Sequence, residues 1–353
     1  DEEALEDLPS LKKLIRDLVI YDRNDNPNVS DPKLSKRHMM THFPRDPDCD
    51  ICNKCRTRRI NSRKTRNDPE DVAHAWIEPQ QFADLITCDH KSVGEKNVEN
   101  QFKDFDRVAL IILDYYTRFI DAYPAKSKEA EEVREALTQF LGVGKVPKAA
   151  YSDNAGEIIA AVKKLGGSSV TCTPHVPQTN GAAENSVRKV TEGTSCALVQ
   201  SGFSYQWWNA AMSCYCFLRN ANDIQHYGTT PYFRRYGIPF KGHSIPFGAE
   251  VGFMKFDGQV RAIRDHPLHS KVHKGLFIGY DVRPGGWWSG DYFVVDAEQM
   301  NTADSVHNVR PIKFKNLIAP EYFIFPCVTG AIKQPENRLK SHPQLEDKLL
   351  PGE

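Results

Sequence analysis

Residues 151–188 constrain the fold more than any other stretch, because two carboxylates occur there in distinctive settings. Asp153 ends a short apolar segment and turn residues follow it, which predicts an exposed acid at the carboxyl end of a β-strand. Glu184 follows a run rich in Pro, Asn and Gly, where Asn180 is a suitable N-cap for a helix. We therefore expect Glu184 in the first helical turn, with Arg188 one turn later on the same face.

A third carboxylate, Asp89, follows the strand-like residues 85–88. Three acids from two strands and a helix, if brought together, supply hard oxygen ligands of the kind that bind Mg²⁺ or Mn²⁺. Asp114 and Asp121 lie in the same region, and we interpret both as structural. Glu157 is open to two readings, since it either approaches the metals or stabilises the first turn of a helix through the helix dipole.

Strands and helices alternate through this part of the chain, which predicts an α/β layer sandwich. The predicted elements are two strands over 107–124 joined by a turn near Tyr116, a helix over 129–141 stopped by Gly142, a strand over 148–152, an apolar helix over 205–220 and a short helix from Thr230-Pro231 to Gly237.

Two segments carry a resemblance to a known family: SDNAGE at 152–157 and TPHVPQTNGAAEN at 173–185. They resemble the second and third acids of the DDE core in retrovirus-like integrases, most closely those of copia-type LTR retrotransposons. The resemblance implies a ribonuclease-H-like fold in which Asp89, Asp153 and Glu184 hold two Mg²⁺ or Mn²⁺ ions. The chain differs from the family pattern at Asn185, where an Arg is common, and in the short spacing between the last two acids.

An N-terminal cluster of His and Cys precedes this core. His38 and His42 are one helical turn apart, and Cys49 with Cys52 has the spacing of a zinc knuckle, so four ligands can close a tetrahedral site. Cys52 with Cys55 has the same spacing, which leaves the choice of thiolates open. Integrases carry a His-His-Cys-Cys zinc domain ahead of the core, and the copia-like register favours Cys49 and Cys52 as ligands of one structural Zn²⁺.

Basic residues without intervening acids follow the cluster and suit contacts with DNA phosphates, although a solvated linker would have the same composition. They are Arg56, Arg58, Arg59, Arg63, Lys64 and Arg66. Arg188 is a further candidate for DNA contact. The basic run could also be read by nuclear import machinery.

The composition changes at 239–248, and short strands follow at 250–254, 275–280, 291–296 and 310–314. This pattern resembles the small Src-homology-3-like β-barrel at the C-terminus of integrases. Five bases in it either line DNA or form a solvated face: Lys255, Arg261, Arg264, Lys271 and Lys274.

We therefore expect five regions along the chain. They are an N-terminal helix and linker (1–32), the zinc module with its basic linker (33–75), the catalytic core (76–238), the small barrel (239–330) and a flexible tail (331–353). Forty per cent hydrophobic residues and zero formal charge are ordinary for a folded chain that is not in a membrane. Nine scattered cysteines favour a reducing compartment.

The resemblance implies a metal-dependent polynucleotidyl transferase that trims the 3′ ends of element DNA and joins them to target DNA. Its partners would be element ends, target DNA and further copies of the chain, because two-ended joining needs two active sites. It would act in the nucleus after a cytoplasmic stage. Binding to a chromatin tether is left open. The alternatives are a domesticated DNA- or chromatin-binding protein and a ribonuclease-H-like nuclease. A nucleophilic site at Ser152 and His90 is disfavoured, because Ser152 has no elbow motif.

Overall fold

The computed structural model describes six segments of the chain. They are residues 36–56, 78–93, 106–152, 155–171, 181–254 and 271–335. Within these segments no helix is both long and apolar enough to cross a membrane. The predicted N-terminal helix, most of the basic linker and Asp153 lie outside the described residues.

Two short helices form the N-terminal module, α1 (Lys36–Thr41) and α2 (Asp50–Cys55). The module packs on the rest of the chain through buried polar contacts. Thr41 Oγ1 donates to Asp223 Oδ1 at 2.8 Å, and Arg37 donates to the carbonyl of Asn222 at 2.7 Å. Because buried polar groups are costly unless they are paired, these contacts hold the module in one position.

A five-stranded mixed sheet lies at the centre of the molecule. Its strands are β1 (Leu85–Ser92), β2 (Val108–Asp114), β3 (Ile120–Ala125), β4 (Ala149–Ser152) and β5 (Ser168–Thr171). Their order is β3-β2-β1-β4-β5, with the first three antiparallel and the last two parallel to β1. β2 is buried along its whole length, as a continuous apolar run predicts.

Helices α3 (Ala130–Leu141) and α4 (Gly156–Lys164) cover one face of the sheet. Apolar residues recur along α3 at helical spacing, and its acidic first turn suits the positive end of the helix dipole. The chain leaves α3 at Gly142, whose φ of 101° is unfavourable for other residues. The predicted helix over 129–141 is thus confirmed.

Helices α5 (Gly181–Ser201) and α6 (Trp208–Asn222) cover the opposite face. Side chains alternate along a strand, and Ile111 on β2 packs on this side against Val190 and Tyr215 of the two helices. The short helix α7 (Pro231–Tyr236) follows; Thr230 caps its start and Gly237, at φ 73°, ends it. The predicted helix starts and stops here are confirmed.

Four C-terminal strands form a second sheet: β6 (Glu250–Met254), β7 (Val272–Arg283), β8 (Trp287–Asp296) and β9 (Ile312–Phe314). They are antiparallel in chain order, with helix α8 (Ala297–Thr302) between the last two. The four predicted strands are confirmed. Closure into a barrel stays a prediction, because the described strand pairs form the open order β6-β7-β8-β9.

The second sheet shares its apolar core with the first. Phe217 of α6 stacks on Tyr280 of β7, with ring centroids 4.1 Å apart. The turn between β7 and β8 contacts the end of α3, where Gly285 N donates to the carbonyl of Gln139 at 2.6 Å. Tyr236 of α7 donates to the carbonyl of the same glycine at 2.6 Å. The composition change at 239–248 therefore does not separate two hydrophobic cores among the described residues.

Candidate functional site

Four buried side chains of the N-terminal module converge at one point. One ligand-type atom from each of His38, His42, Cys49 and Cys52 lies within 4.8 Å of the other three. Cys52 Sγ is 3.4 Å from His38 Nε2, and Cys49 Sγ is 3.6 Å from His42 Nδ1. A tetrahedral ion with ordinary Zn–N and Zn–S bonds would separate its ligand atoms by about 3.3–3.8 Å. The donor set and these two distances therefore fit a closed zinc site.

Local structure prepares these donors. Cys49 is the N-cap of α2, and its Sγ accepts a hydrogen bond from Cys52 N at 3.4 Å. A hydrogen bond from the Cys52 thiol holds the pKa of Cys49 well below its usual value. Burial lowers the pKa of His42, which favours the neutral imidazole that a metal ligand requires. Cys55, the alternative thiolate, is not in the group of four.

Asp89 lies on the face of the central sheet that α5 covers. Its register partner on β2 is Ile111, which packs against Val190 of α5. The half-buried Asp89 carboxylate accepts a hydrogen bond from His90 N at 2.7 Å. Glu184 is exposed in the first turn of α5, as expected from its helix start. The two acids thus lie on the same side of the sheet.

Asp153, the remaining acid of the predicted set, lies outside the described residues. The strand before it, β4, ends at Ser152 and pairs in parallel with β1. In this pairing Tyr151 lies opposite Thr87, and these residues precede Asp153 and Asp89 by two positions each. β1 and β4 therefore run towards the same edge of the sheet.

The acids interpreted as structural have structural contacts. Asp114 is fully buried and accepts hydrogen bonds from Ala83 N, Thr117 N and Thr117 Oγ1 at 2.6–2.9 Å, so it closes the turn between β2 and β3. Asp121 on β3 accepts from the backbone of the next residue and from Tyr123 Oη at 3.2 Å.

Glu157 and His90 contact each other on the sheet face away from Asp89. Glu157 Oε1 is 3.6 Å from His90 Nδ1, and Glu157 lies in the first turn of α4. Alternation along β1 directs His90 and Asp89 to opposite faces. Ser152 is buried at the end of β4. This arrangement does not favour Glu157 as a metal ligand or Ser152 as a nucleophile.

The interpretation of Arg56 as a DNA contact is corrected by its burial. Its side chain packs inside the molecule and donates to the carbonyl of Thr41 at 3.1 Å, so it joins α1 to α2. A guanidinium with this contact is not presented to phosphate. The remaining predicted bases of the linker, Arg58, Arg59, Arg63, Lys64 and Arg66, lie outside the described residues.

Arg188 is exposed on α5, one turn after Glu184. It donates to Asn185 and lies 3.4 Å from Glu192. The next residue, Lys189, is half-buried; burial first, and then nearby arginines including Arg118 and Arg188, lower its pKa to about 8. Sequence reasoning missed Lys189, although its position beside Arg188 was a signal. Positive side chains from more than one element therefore lie near Lys189.

The C-terminal bases are placed differently. Lys274 forms an ion pair with Glu250 at 2.9 Å, across β7 and β6, and Lys271 is exposed. Lys255, Arg261 and Arg264 lie outside the described residues.

A second residue that sequence reasoning missed is Gln200, near the end of α5. Its Oε1 is 2.7 Å from His42 Nε2, and its Nε2 donates to the carbonyl of Met39 at 2.9 Å. No spacing signal could have found it, because 158 positions separate the glutamine from the histidine.

The comparison with solved structures finds integrases. The catalytic core domain of BIV integrase is 20% identical and covers 44% of this chain and 95% of its own, with a TM-score of 0.32. A simian T-cell lymphotropic virus intasome, in complex with a PP2A regulatory subunit, is 14% identical and covers 69% of this chain and 84% of its own, with a TM-score of 0.34. The HTLV-2 integrase core, in complex with magnesium, is 12% identical and covers 44% and 99%, with a TM-score of 0.35.

No family model matches the chain. Among curated proteins, the Retrovirus-related Pol polyprotein from transposon RE1 of Arabidopsis thaliana is 25% identical over 198 residues, which is half of this chain. The corresponding polyprotein from transposon RE2 is 28% identical over 190 residues. The matches span 12% of the length of either polyprotein. The chain is thus similar to part of these transposon polyproteins, and the resemblance to copia-type retrotransposon integrases that the sequence predicts is confirmed.

Proposed function

We propose that the chain is the integrase segment of a retrotransposon Pol polyprotein and acts as a DDE-type polynucleotidyl transferase. The observation that carries the proposal is the position of Asp89 and Glu184 on one side of a mixed sheet whose parallel strand β4 leads directly to Asp153. One acid within β1, one that directly follows the adjacent parallel strand β4 in the sequence, and a third on the helix that covers this face can share metal ions.

Each acid has its own role in the proposed site. Asp89, on the more central strand, would contact both of two divalent ions, Asp153 one of them and Glu184 the other. Two Mg²⁺ or Mn²⁺ ions held by these acids would supply activation of an attacking oxygen and stabilisation of the leaving 3′ oxygen. The attacking oxygen belongs to water when an element end is trimmed, and to the trimmed 3′ hydroxyl when that end is joined to target DNA.

The surface beside the proposed site favours DNA as the substrate. Arg188 and Lys189 follow Glu184 on the same helix, and Arg118 adds to the positive field at Lys189. Phosphate contacts of this kind supply affinity without sequence readout. In this proposal the bases of the linker after Arg56 also contact DNA. Because the substrate is DNA, the protein acts in the nucleus.

The proposed reaction requires more than one copy of the chain. Joining both ends of a linear DNA needs two active sites, whereas each chain supplies one set of three acids. We therefore propose a homo-multimer assembled on DNA ends, in which the zinc module and the C-terminal sheet take part in DNA binding.

Removing single metal ligands tests the proposal. Asp89→Asn, Asp153→Asn and Glu184→Gln should each lower strand transfer by more than about 100-fold, since even residues that only support metal ligands contribute 10–100-fold. The readout is a gel assay with Mg²⁺ or Mn²⁺ and a panel of candidate element ends. Thermal unfolding of Glu184→Gln should stay within about 0.5 kcal/mol of wild type, because the residue is exposed.

Glu298→Gln is the matched control, because Glu298 is also an exposed glutamate in a first helical turn but belongs to α8 in the C-terminal part. It should leave strand transfer unchanged. Near-wild-type activity of any of the three acid variants would remove that acid from the site. Cleavage of RNA in hybrids without strand transfer would favour the nuclease alternative, and DNA binding with neither reaction would favour the domesticated binding protein.

A further inference from the structure

The metal cluster of the N-terminal module contacts α5, the helix that begins with the Glu184 turn. The contact is a buried pair in which Gln200 Oε1 lies 2.7 Å from His42 Nε2. Gln200 Nε2 donates to the carbonyl of Met39, in α1, at 2.9 Å. His42 and Gln200 are 1% and 5% exposed, so both hydrogen bonds lie in the interior of the molecule.

The hydrogen bonds fix the chemistry of the histidine. A backbone carbonyl only accepts, so the Gln200 amide must present its nitrogen to Met39 and its oxygen to His42. An amide oxygen also only accepts, so His42 Nε2 must carry the proton. In the neutral ring that a metal ligand requires, His42 Nδ1 is then unprotonated, and it faces Cys49 Sγ at 3.6 Å and Cys52 Sγ at 3.9 Å. This is the tautomer that can bind a metal ion through Nδ1.

We propose that Gln200 is a positioning residue for the zinc site, and that through it zinc binding is coupled to the order of α5. The glutamine holds the His42 ring by its far nitrogen and is itself held by α1, so the metal donors are oriented by the core of the same chain. The proposal needs an ion at the four-residue cluster, but it does not depend on the DNA-joining reaction proposed above.

Coupling follows from the shared contacts. An ion that binds only the assembled cluster stabilises the contacts that assemble it, including the Gln200 bridge. The linkage is reciprocal. If zinc stabilises the bridge by a given factor, removal of the bridge must weaken zinc binding by that factor. Other contacts dock the module nearby, such as Thr41 with Asp223, so removal of the glutamine leaves the module attached.

Two substitutions of the glutamine separate its two hydrogen bonds. Gln200→Met keeps the length of the side chain but removes both bonds, whereas Gln200→Glu keeps an acceptor for His42. Zinc affinity of the full chain is measured by competition with a chromogenic chelator. We expect a 10–100-fold loss for Gln200→Met, as for other partners of metal-bound histidines, and a loss of no more than a few-fold for Gln200→Glu.

Val199→Met is the matched control, since Val199 is the exposed neighbour of Gln200 on the same helix; it should bind zinc like wild type. The second measurement is hydrogen exchange of residues 181–201 with and without Zn²⁺. Zinc should slow exchange at the end of α5 in wild type and in the control, and should do so much less in Gln200→Met.

The proposal is overturned by equal zinc affinity of Gln200→Met and wild type, or by exchange in α5 that does not respond to zinc in wild type. If Gln200→Met does not fold, nitrogen NMR of the wild-type His42 ring decides: a proton on Nδ1 in the zinc-loaded protein would contradict the proposal, and a proton on Nε2 would support it. These readouts do not involve DNA. They therefore test the role of Gln200 even if the chain does not catalyse strand transfer.

Discussion

Asp114, which is buried, and Asp121, which is half-buried, show how differently two acids can be accommodated on neighbouring strands. Burial raises the pKa of both carboxyl groups. Asp114 has three donors within 2.9 Å, which oppose that effect. Asp121 has a backbone donor and the Tyr123 hydroxyl, and burial raises its pKa to about 6. The charged form of Asp121 therefore destabilises the folded state.

Asp121→Asn should stabilise the protein at neutral and alkaline pH. Because folding raises the pKa of Asp121 from 3.8 to about 6, the cost of its charge is full above pH 6 and falls as the pH drops towards 3.8. An amide keeps the packing without the charge, so the gain in free energy of unfolding should be about 1–3 kcal/mol at pH 8 and about half of that at pH 5. Urea unfolding at the two pH values measures it.

Asp114→Asn is the matched control for this substitution. Its amide would direct hydrogen atoms at one of the groups that now donate to the carboxylate, so it should lower stability at both pH values. A gain for Asp121→Asn that does not change with pH would contradict the assigned cause.

At the scale of elements, the close crossing of α5 and α6 fixes the position of α5, the helix that carries Glu184. Gly193 lies in the interior of α5 and faces the ring of Tyr215, which is 1% exposed. A Cβ on Gly193 would lie 2.0 Å from Tyr215 Cζ, so the helices can approach this closely only with glycine here.

Gly193→Ala should therefore destabilise the protein, although alanine is the better helix former by about 1 kcal/mol. Overpacking against a buried ring costs about 1–3 kcal/mol. Urea unfolding should show a lower midpoint, and strand transfer should fall if α5 moves away from β1.

Val199→Ala serves as the control on the same helix, because Val199 is exposed and alanine has the higher helix propensity. Its stability should equal or exceed that of wild type. If Gly193→Ala were also stabilising, the two helices would have to be further apart than the structure shows.

On the scale of the whole molecule, the N-terminal module, the central sheet and the C-terminal sheet share one apolar cluster. Met39 of α1, Phe140 of α3 and Phe277 of β7 all belong to it. The aromatic stack of Phe217 on Tyr280 lies where the two sheets meet. Removal of the C-terminal sheet would expose this surface to water.

The sharing of one cluster predicts a single cooperative unfolding transition for the full chain. A fragment that ends at residue 238 should be markedly less stable than the full chain and should bind a hydrophobic dye, because it lacks the rings that cover Phe217. Calorimetry and dye fluorescence measure these two effects.

A fragment that ends at residue 335 is the control, since it keeps the described part of the C-terminal sheet and should unfold at the same temperature as the full chain. Two separate transitions, or a stable fragment ending at residue 238, would instead support the independent C-terminal domain that the sequence predicts.

The sequence by itself determined the local features of this protein. Turn residues and an N-cap were enough to predict the helix that begins before Glu184, and periodicity predicted α3 and the buried strand β2. The spacing of His38 with His42 and of the cysteines was enough to predict a His-Cys cluster, while the resemblance to integrases chose Cys49 and Cys52 over Cys55; the structure brings these four side chains together. These features depend on residues within a few positions of one another, so short-range patterns contain them.

Only the tertiary structure decided which distant surfaces meet. Arg56 belongs to a basic run, yet it is buried and donates to the carbonyl of Thr41, 15 positions earlier in the chain. Gln200 has no motif, yet it lies against His42 from 158 positions away. The C-terminal strands were predictable one by one, but not their shared core with α6. The physical reason is that burial and hydrogen-bond satisfaction select partners across the folded chain, and no local pattern records that selection.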